Sequence, residues 1–340
     1  MRAAVVNEPF NMSIRDVPLP VLGPHDVLLK AKASGICGSD VDAFEGKHFR
    51  TTYPRILGHE FCGIVEEVGA EVNEWTRGDR VCAETNIPCR ICRICRQGLP
   101  HLCKDVKVIG FNMDGGYAEY VKVPAVNLIP LPDSVTFEMA ALAQPMGVGY
   151  RAVKERSHVK KGDTVAIFGS GPVGLGALAV CKTLGARVIM IDLLENRLEA
   201  ARKMGADKVV NPSEKDVVSE VAHFTEGDGA DIVLEVVGGQ QKQTIQQATQ
   251  IVRRAGIVVV VGTFSGEIPV RLGDLRTGEI DIRGQRGQYG TYKACIDLVN
   301  SGQVDMSPML SRTVSLEEAP YGLELMAHHA GEVVKVLIVQ

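Results

Sequence analysis

The chain has 340 residues, enough for about two domains, and its 45% hydrophobic, 23% charged composition is that of a globular protein with a buried core. A formal net charge of −4, with lysine and arginine scattered, excludes the electrostatic footprint of a nucleic-acid or anionic-membrane binder. No apolar run is long enough for a membrane span, and Asn7 and Glu8 interrupt the N-terminal one, so it does not read as a signal peptide. Nine cysteines, an odd number, suit a reducing compartment better than a disulfide framework, so a cytoplasmic location is expected.

Residues 1 to about 145 read as short strands between Gly and Pro turns. Residues 27–33 and 118–123 alternate in polarity, and 63–68 is Val-rich. Leu22-Gly23-Pro24 and Arg77-Gly78-Asp79 are turn signals between such segments. The pattern predicts an irregular β-barrel or sandwich. Within it, Cys37 lies in Ser34-Gly35-Ile36-Cys37-Gly38-Ser39-Asp40, and His59-Glu60 follows Leu57-Gly58. Thiolate, imidazole and carboxylate are common zinc ligands, and a catalytic site uses three of them plus an open position. Each is unremarkable alone, because a single Cys on an apolar segment is more often simply buried.

Cys89, Cys92, Cys95 and Cys103 come next, with two-residue gaps among the first three. Four thiolates so spaced can wrap one tetrahedral Zn2+. A disulfide pair or unrelated thiols are the alternatives, and cytosolic thiols stay reduced. Residues 90–100 are basic and carry little that could form a core, so a metal would explain how this lobe stays folded.

The texture changes after about residue 150. Residues 164–168 read as a buried strand, 175–185 as an apolar helix and 187–192 as a second strand. Leu194, Leu198, Ala201 and Met204 then mark one face of a helix. Further strands are expected at 208–210, 231–236, 256–262 and 279–284, with helical runs between most of them. Six strands alternating with helices predict a doubly wound parallel sheet. Gly169-Ser170-Gly171-Pro172-Val173-Gly174 matches the dinucleotide fingerprint at the end of a strand and the start of a helix, the context that gives the motif meaning. Gly169 permits the tight turn, Gly171 lets backbone approach a pyrophosphate, and Gly174 lets the helix pack closely. Asp192 ends the next strand, where a carboxylate accepts hydrogen bonds from ribose hydroxyls and repels a 2′-phosphate. Leu193 rather than an arginine follows it, so NAD is expected over NADP. A helical stretch at 292–301 and a strand at 333–339 close the chain, and this tail is expected to return to the first domain.

Taken in order, the Gly35–Asp40 run, Gly58-His59-Glu60, the four-cysteine lobe, Asp114-Gly115-Gly116-Tyr117-Ala118-Glu119-Tyr120 and the Gly169–Gly174 run span essentially the whole chain. In these motifs the chain resembles the zinc-dependent medium-chain dehydrogenases of the alcohol dehydrogenase superfamily, nearest the polyol (sorbitol-like) and threonine dehydrogenase branch. The resemblance implies a GroES-like catalytic domain over residues 1–146 and 287–340, carrying the structural zinc lobe at 89–103. It also implies an inserted six-stranded Rossmann domain over 147–286 and a catalytic zinc in the cleft between the two. By position, Cys37 and His59 would bind that zinc, with Glu60 a ligand or one water away. Gln144 stands where the polyol branch carries a glutamate, and would be a neutral ligand or an outer partner. Ser39 would start the proton relay. Asp42 occupies a position where relatives often have a relay histidine, and His48 is a nearby substitute. Arg197 is expected over the adenine. Val261-Gly262-Thr263 and Gly284-Gln285-Arg286 are expected at the nicotinamide end, where ordinary turn chemistry is an equal alternative.

The activity so implied is oxidation of a secondary alcohol of a polyol, sugar or sugar acid by hydride transfer to NAD, with two zinc ions per chain. An L-threonine 3-dehydrogenase, a simple alcohol dehydrogenase and a non-catalytic nucleotide-binding regulator are the alternatives. A homodimer or homotetramer through residues 281–284 is also expected from the resemblance.

Overall fold

The computed structural model describes all 340 residues. The chain divides into two compact units. The first comprises residues 1–144, 292–301 and 310–340, and the second comprises 145–291 and 302–309. Residues 1–146 and 287–340 are expected in the first unit from the sequence, whereas 145–146, 287–291 and 302–309 group with the second. Part of the reason is a contact distant in sequence: the Ser307–Met309 turn packs on the Glu195–Lys203 helix.

The first unit is built on the ten-residue strand Asp26–Gly35. One edge of it pairs antiparallel with Glu60–Val68. Its other edge takes Tyr120–Pro124 beside Asp26–Lys30 and the C-terminal strand Lys335–Val339 beside Ala33–Gly35. Register shifts after Leu28 and Ala31 on the Glu60–Val68 side bend the strand, as bulges do. Val27 and Leu29 enter a core with Phe61, Val65, Val81, Val121 and Val123, while Lys30 points out to water. Leu28 between them is buried as well, so the period-two signal visible in the sequence shows in burial only from Leu29 through Lys30 to Ala31. A separate three-stranded sheet runs in the order Asn11–Asp16, Arg2–Glu8, Arg55–Ile56.

Gly35 shows how tightly this unit closes. A Cβ there would lie 2.1 Å from Glu60 Oε2 and 3.0 Å from Lys335 Cε. Glu60 and Lys335 are each 1% exposed and form an ion pair between the Glu60–Val68 strand and the C-terminal strand. Only glycine leaves room for that pair.

The second unit holds six strands, all parallel, in the order Lys208–Val210, Arg187–Ile191, Thr164–Phe168, Ala230–Glu235, Val252–Val260, Asp281–Gly284. Thr164–Phe168 is buried at every position, as a central parallel strand covered on both faces must be. The order reverses between Thr164–Phe168 and Ala230–Glu235, so a crevice opens at their carboxyl ends. The helix expected from 175 begins earlier, at Pro172–Thr183, because proline's fixed φ suits the first helical position. No helix is long and apolar enough to cross a membrane.

Gly35→Ala should lower the unfolding free energy by about 1–3 kcal/mol through overpacking. A urea titration with an unchanged midpoint would contradict this packing.

Candidate functional site

The four lobe cysteines converge. Their Sγ atoms are 3.5 Å apart for Cys92–Cys95 and Cys89–Cys103, and 4.0 Å apart for Cys89–Cys95 and Cys92–Cys103. A tetrahedron with Zn–S bonds of about 2.3 Å has edges of about 3.8 Å, so these thiols fit one zinc. All four are free of disulfides. Backbone N–H groups of Ile91 and Cys92 bring the Cys89 thiol down to about 7, while burial and the neighbouring thiols push Cys95 up to about 12, as expected of close thiols that cannot all ionise unless a cation sits among them. No residue from Arg90 to Leu102 is buried, so the lobe has no core of its own. A two-residue ladder, Asn86–Ile87 with Lys107–Val108, closes its neck.

A second cluster lies in the first unit. Ligand atoms of Cys37, His59 and Glu60 all lie within 4.8 Å of one another, and these residues could hold a metal. Cys37 caps the Gly38–Phe44 helix, and Asp40, in the first turn of that helix, accepts the Cys37 N–H at 2.9 Å. Asp40 is fully buried and also accepts from Tyr117 Oη at 2.9 Å and from His59 Nδ1 at 3.2 Å. Donation from Nδ1 leaves the His59 Nε2 lone pair for a metal. Ser39 Oγ stands 3.5 Å from that Nε2. Burial opposes a proton on His59, but the Asp40 carboxylate holds its pKa well above the ordinary value. Burial likewise opposes the Asp40 charge, and His59 overrides it to keep the carboxyl below its usual range.

One oxygen of Glu60 faces Lys335 Nζ, and Oε1 is buried with no hydrogen-bond partner. A buried carboxylate oxygen left bare beside a thiol and an imidazole is what a metal site requires. Burial works against the Lys335 charge, but Glu60 and Cys37 keep its pKa above the ordinary lysine value.

Asp40 and Lys335 were not assigned roles from sequence. Asp40 sat unassigned in the Cys-Gly-Ser-Asp run. Lys335 was signalled only by being the one charge in the apolar stretch Val333 to Val339. Gln144, the second residue of the Ala143–Arg151 helix, is half-buried, and Asp42 is exposed.

In the second unit a cleft of 480 Å3 opens at the carboxyl ends of the strands, lined among others by Gly169, Gly171, Asp192, Leu193, Arg197 and Val237. Gly169 has φ +97°, and a Cβ on Gly174 would lie 1.9 Å from Gly169 O, so the turn demands both glycines. Pro172 and Val173 form the first turn of the helix that follows. Asp192 accepts the Ser170 N–H at 2.7 Å and the Leu194 N–H at 2.9 Å, and Arg197 reaches within 3.9 Å of it. Ser170 Oγ and Arg197 Nε are buried here without partners, which suits a polar ligand. Val261, Gly262, Thr263 and Arg286 follow the carboxyl ends of the neighbouring strands but do not line this cleft. Glu235, unassigned from sequence, anchors the cleft wall by accepting the N–H groups of Val237 and Gly238 at 3.1 Å each.

A dinucleotide cleft, a closed four-thiol site and a mixed thiol–imidazole–carboxylate cluster together define a metal-dependent, nicotinamide-linked dehydrogenase. Residues 23–133 match the Alcohol dehydrogenase GroES-like domain and residues 172–301 match Zinc-binding dehydrogenase. The chain is 36% identical to sorbitol dehydrogenase of Bacillus subtilis, covering 99% of this chain and 97% of that protein. It is 36% identical to L-threonine 3-dehydrogenase of Caldanaerobacter subterraneus, covering 91% and 90%. A Sinorhizobium meliloti structure assigned to the zinc-binding dehydrogenases and bound to NADP superposes with a TM-score of 0.94 at 34% identity, covering 100% and 99%. The chain therefore belongs to the zinc-type medium-chain alcohol dehydrogenase family, in its polyol and threonine branch. It is an enzyme whose cofactors are zinc and a nicotinamide dinucleotide, acting on a small-molecule alcohol.

Cys103→Ser should lower zinc content from two ions to one per chain and reduce the thermal midpoint. Two ions retained in the variant would rule out the lobe as a metal site. Asp40→Asn should weaken zinc at the second cluster by about 10–100-fold, read by competition with a chromophoric chelator; unchanged affinity would deny Asp40 its orienting part.

Proposed function

We propose that this enzyme oxidises a secondary alcohol of a polyol, sugar or sugar acid, using NAD. The reading is carried by the cluster of Cys37, His59 and Glu60 with Ser39 at 3.5 Å from His59, and is supported by the likeness to a sorbitol dehydrogenase.

In this reading Cys37, His59 and Glu60 hold the catalytic zinc, with Gln144 a neutral candidate on sequence position alone, and Cys89, Cys92, Cys95 and Cys103 hold the structural one. When bound, zinc supplies Lewis acidity toward an alcohol oxygen, and the nicotinamide supplies a hydride acceptor. Ser39 Oγ accepts the hydroxyl proton and passes it toward solvent. Asp40 keeps His59 oriented while this happens, and Lys335 balances the charge of Glu60.

The preference for NAD rests on Asp192. Both of its oxygens hold backbone N–H groups, yet its negative charge still faces the cleft, where a 2′-phosphate would be repelled. Arg197 beside it is well placed for the adenosine end. Val261, Gly262, Thr263 and Arg286 are assigned to the nicotinamide end on position alone. The exposed edge strand Asp281–Gly284 is the proposed pairing edge of a homodimer or homotetramer. Free thiols throughout support a cytoplasmic location.

The similarity to an L-threonine 3-dehydrogenase keeps one rival in view. NAD reduction with polyols, aldonates, L-threonine and simple alcohols separates them, and exclusive turnover of threonine would overturn the polyol reading. Ser39→Ala should lower kcat by about 10²–10⁴-fold with NAD binding retained; full activity would remove Ser39 from the relay. Asp192→Ala should shift the NAD-over-NADP ratio of kcat/KM by at least about tenfold, and an unchanged ratio would count against the ribose assignment.

A further inference from the structure

One buried carboxylate of the second unit takes no part in proton or hydride transfer. Glu235 ends the Ala230–Glu235 strand, beside the reversal of strand order where the dinucleotide cleft opens, and it is 0% exposed. Its partners are hydrogen-bond donors rather than a cation, and they meet on one oxygen. Oε1 accepts the Val237 and Gly238 N–H groups at 3.1 Å each and the Thr244 hydroxyl at 2.8 Å. Burial pushes the carboxyl above its usual range, and these donors pull the other way. Oε2 is buried without a partner, and a Cβ on Gly262 would lie 2.6 Å from it. Burying a carboxylate with one bare oxygen is costly, and an apolar side chain of similar size would fill the space without that cost. What an apolar side chain could not do is satisfy two backbone N–H groups and a hydroxyl that face inward.

Those donors belong to the cleft. Val237 and Thr244 line it, and so does Gln241, while Glu235 stands behind them. The Gln241 amide closes the turn between the other two. Its Nε2 donates to Gly238 O at 3.0 Å and to Thr244 Oγ1 at 2.7 Å, and its Oε1 accepts the Thr244 N–H at 3.0 Å. A polar chain thus runs from Gln241 through the Thr244 hydroxyl to Glu235. Gly238 and Gly239 take φ +64° and +82°. A turn of two glycines has little conformational preference of its own, so its shape depends on the bonds that pin it. The same residue also holds the neighbouring segment. Glu235 O accepts the N–H groups of Val261 at 2.8 Å and Gly262 at 3.0 Å, and the Gly239 N–H donates to Thr263 O at 2.8 Å.

We propose that Glu235 is a positioning residue for the nicotinamide dinucleotide: its Oε1 holds the Val237–Thr244 wall of the cleft in its binding shape, and cofactor affinity depends on that acceptor although Glu235 does not itself line the cleft. The inference concerns the cofactor alone and is independent of which alcohol the enzyme oxidises.

The test is a fluorescence titration of the zinc-loaded enzyme with NADH or NADPH, whichever the unmodified protein binds more tightly, with a urea unfolding midpoint for each variant. Glu235→Leu fills the space but accepts nothing, and should raise the Kd by about 10–100-fold, the range of hydrogen bonds to a charged group. Glu235→Gln keeps a carbonyl oxygen for the same donors and should stay within about threefold. A Glu235→Leu enzyme whose midpoint falls while its Kd is unchanged would have lost packing only, and that result overturns the proposal. Equal weakening by Glu235→Gln and Glu235→Leu overturns it too, because the acceptor would then not matter. If Glu235→Leu does not fold, Thr244→Val decides. That variant removes one donor at nearly constant shape and should raise the Kd by about 2–10-fold; an unchanged Kd overturns the proposal.

Discussion

Four ionisable side chains lie out of water in the first unit, and most of what surrounds them exists to make that possible. Asp40, His59, Glu60 and Lys335 are at most 5% exposed. A single buried ion costs several kcal/mol, so each needs its partner in place. His59 and Glu60 are adjacent in sequence and face different partners, His59 one from the Gly38–Phe44 helix and Glu60 one from the C-terminal strand. With a dication bound, a thiolate at Cys37 and a neutral His59, the formal charges of the cluster sum to zero. Without the metal, the raised pKa of His59 lets a proton take over part of that role.

The two candidate metal clusters differ for a physical reason. The cysteine lobe offers four equivalent soft ligands and no buried apolar residue between Arg90 and Leu102, so metal bonds replace a core there. The second cluster offers three unlike ligands set into a packed unit, with Tyr117 and Asp40 fixing the imidazole. Four thiolates would close the coordination of a metal in the first, whereas three ligands would leave one position open in the second.

What could be seen in the sequence was local. Cysteine spacing, the glycine run at the end of the Thr164–Phe168 strand, and the alternation around Val27 and Leu29 each depend on neighbours a few residues away. Asp40 was visible as a residue but not as a hydrogen-bond acceptor, because its main partner, His59, lies on another element. Lys335 was less visible still, since a lone lysine in an apolar strand acquires meaning only once Glu60 is known to sit opposite. Glu235 was hidden for a similar reason: its partners are the backbone N–H groups of Val237 and Gly238, which have no side-chain signature, and the hydroxyl of Thr244 on a different element. The division of the tail between units, with 302–309 packed in the second, depends on a helix more than a hundred positions earlier and carried no sequence mark.

The Lys335–Val339 strand also orders events during synthesis. All six parallel strands of the second unit leave the ribosome before it, and that unit can begin to close while translation continues. The first unit cannot finish closing, because Asp26–Gly35 still lacks a neighbour along its Ala33–Gly35 edge and Glu60 still lacks its counter-charge. For that interval the nascent chain holds a nearly finished nucleotide-binding body beside an open sheet with unprotected thiols, the stage at which a chaperone has most to shield. A message cut short before the codon for Lys335 would yield a protein that quality control treats as misfolded, not a dehydrogenase that is merely slow.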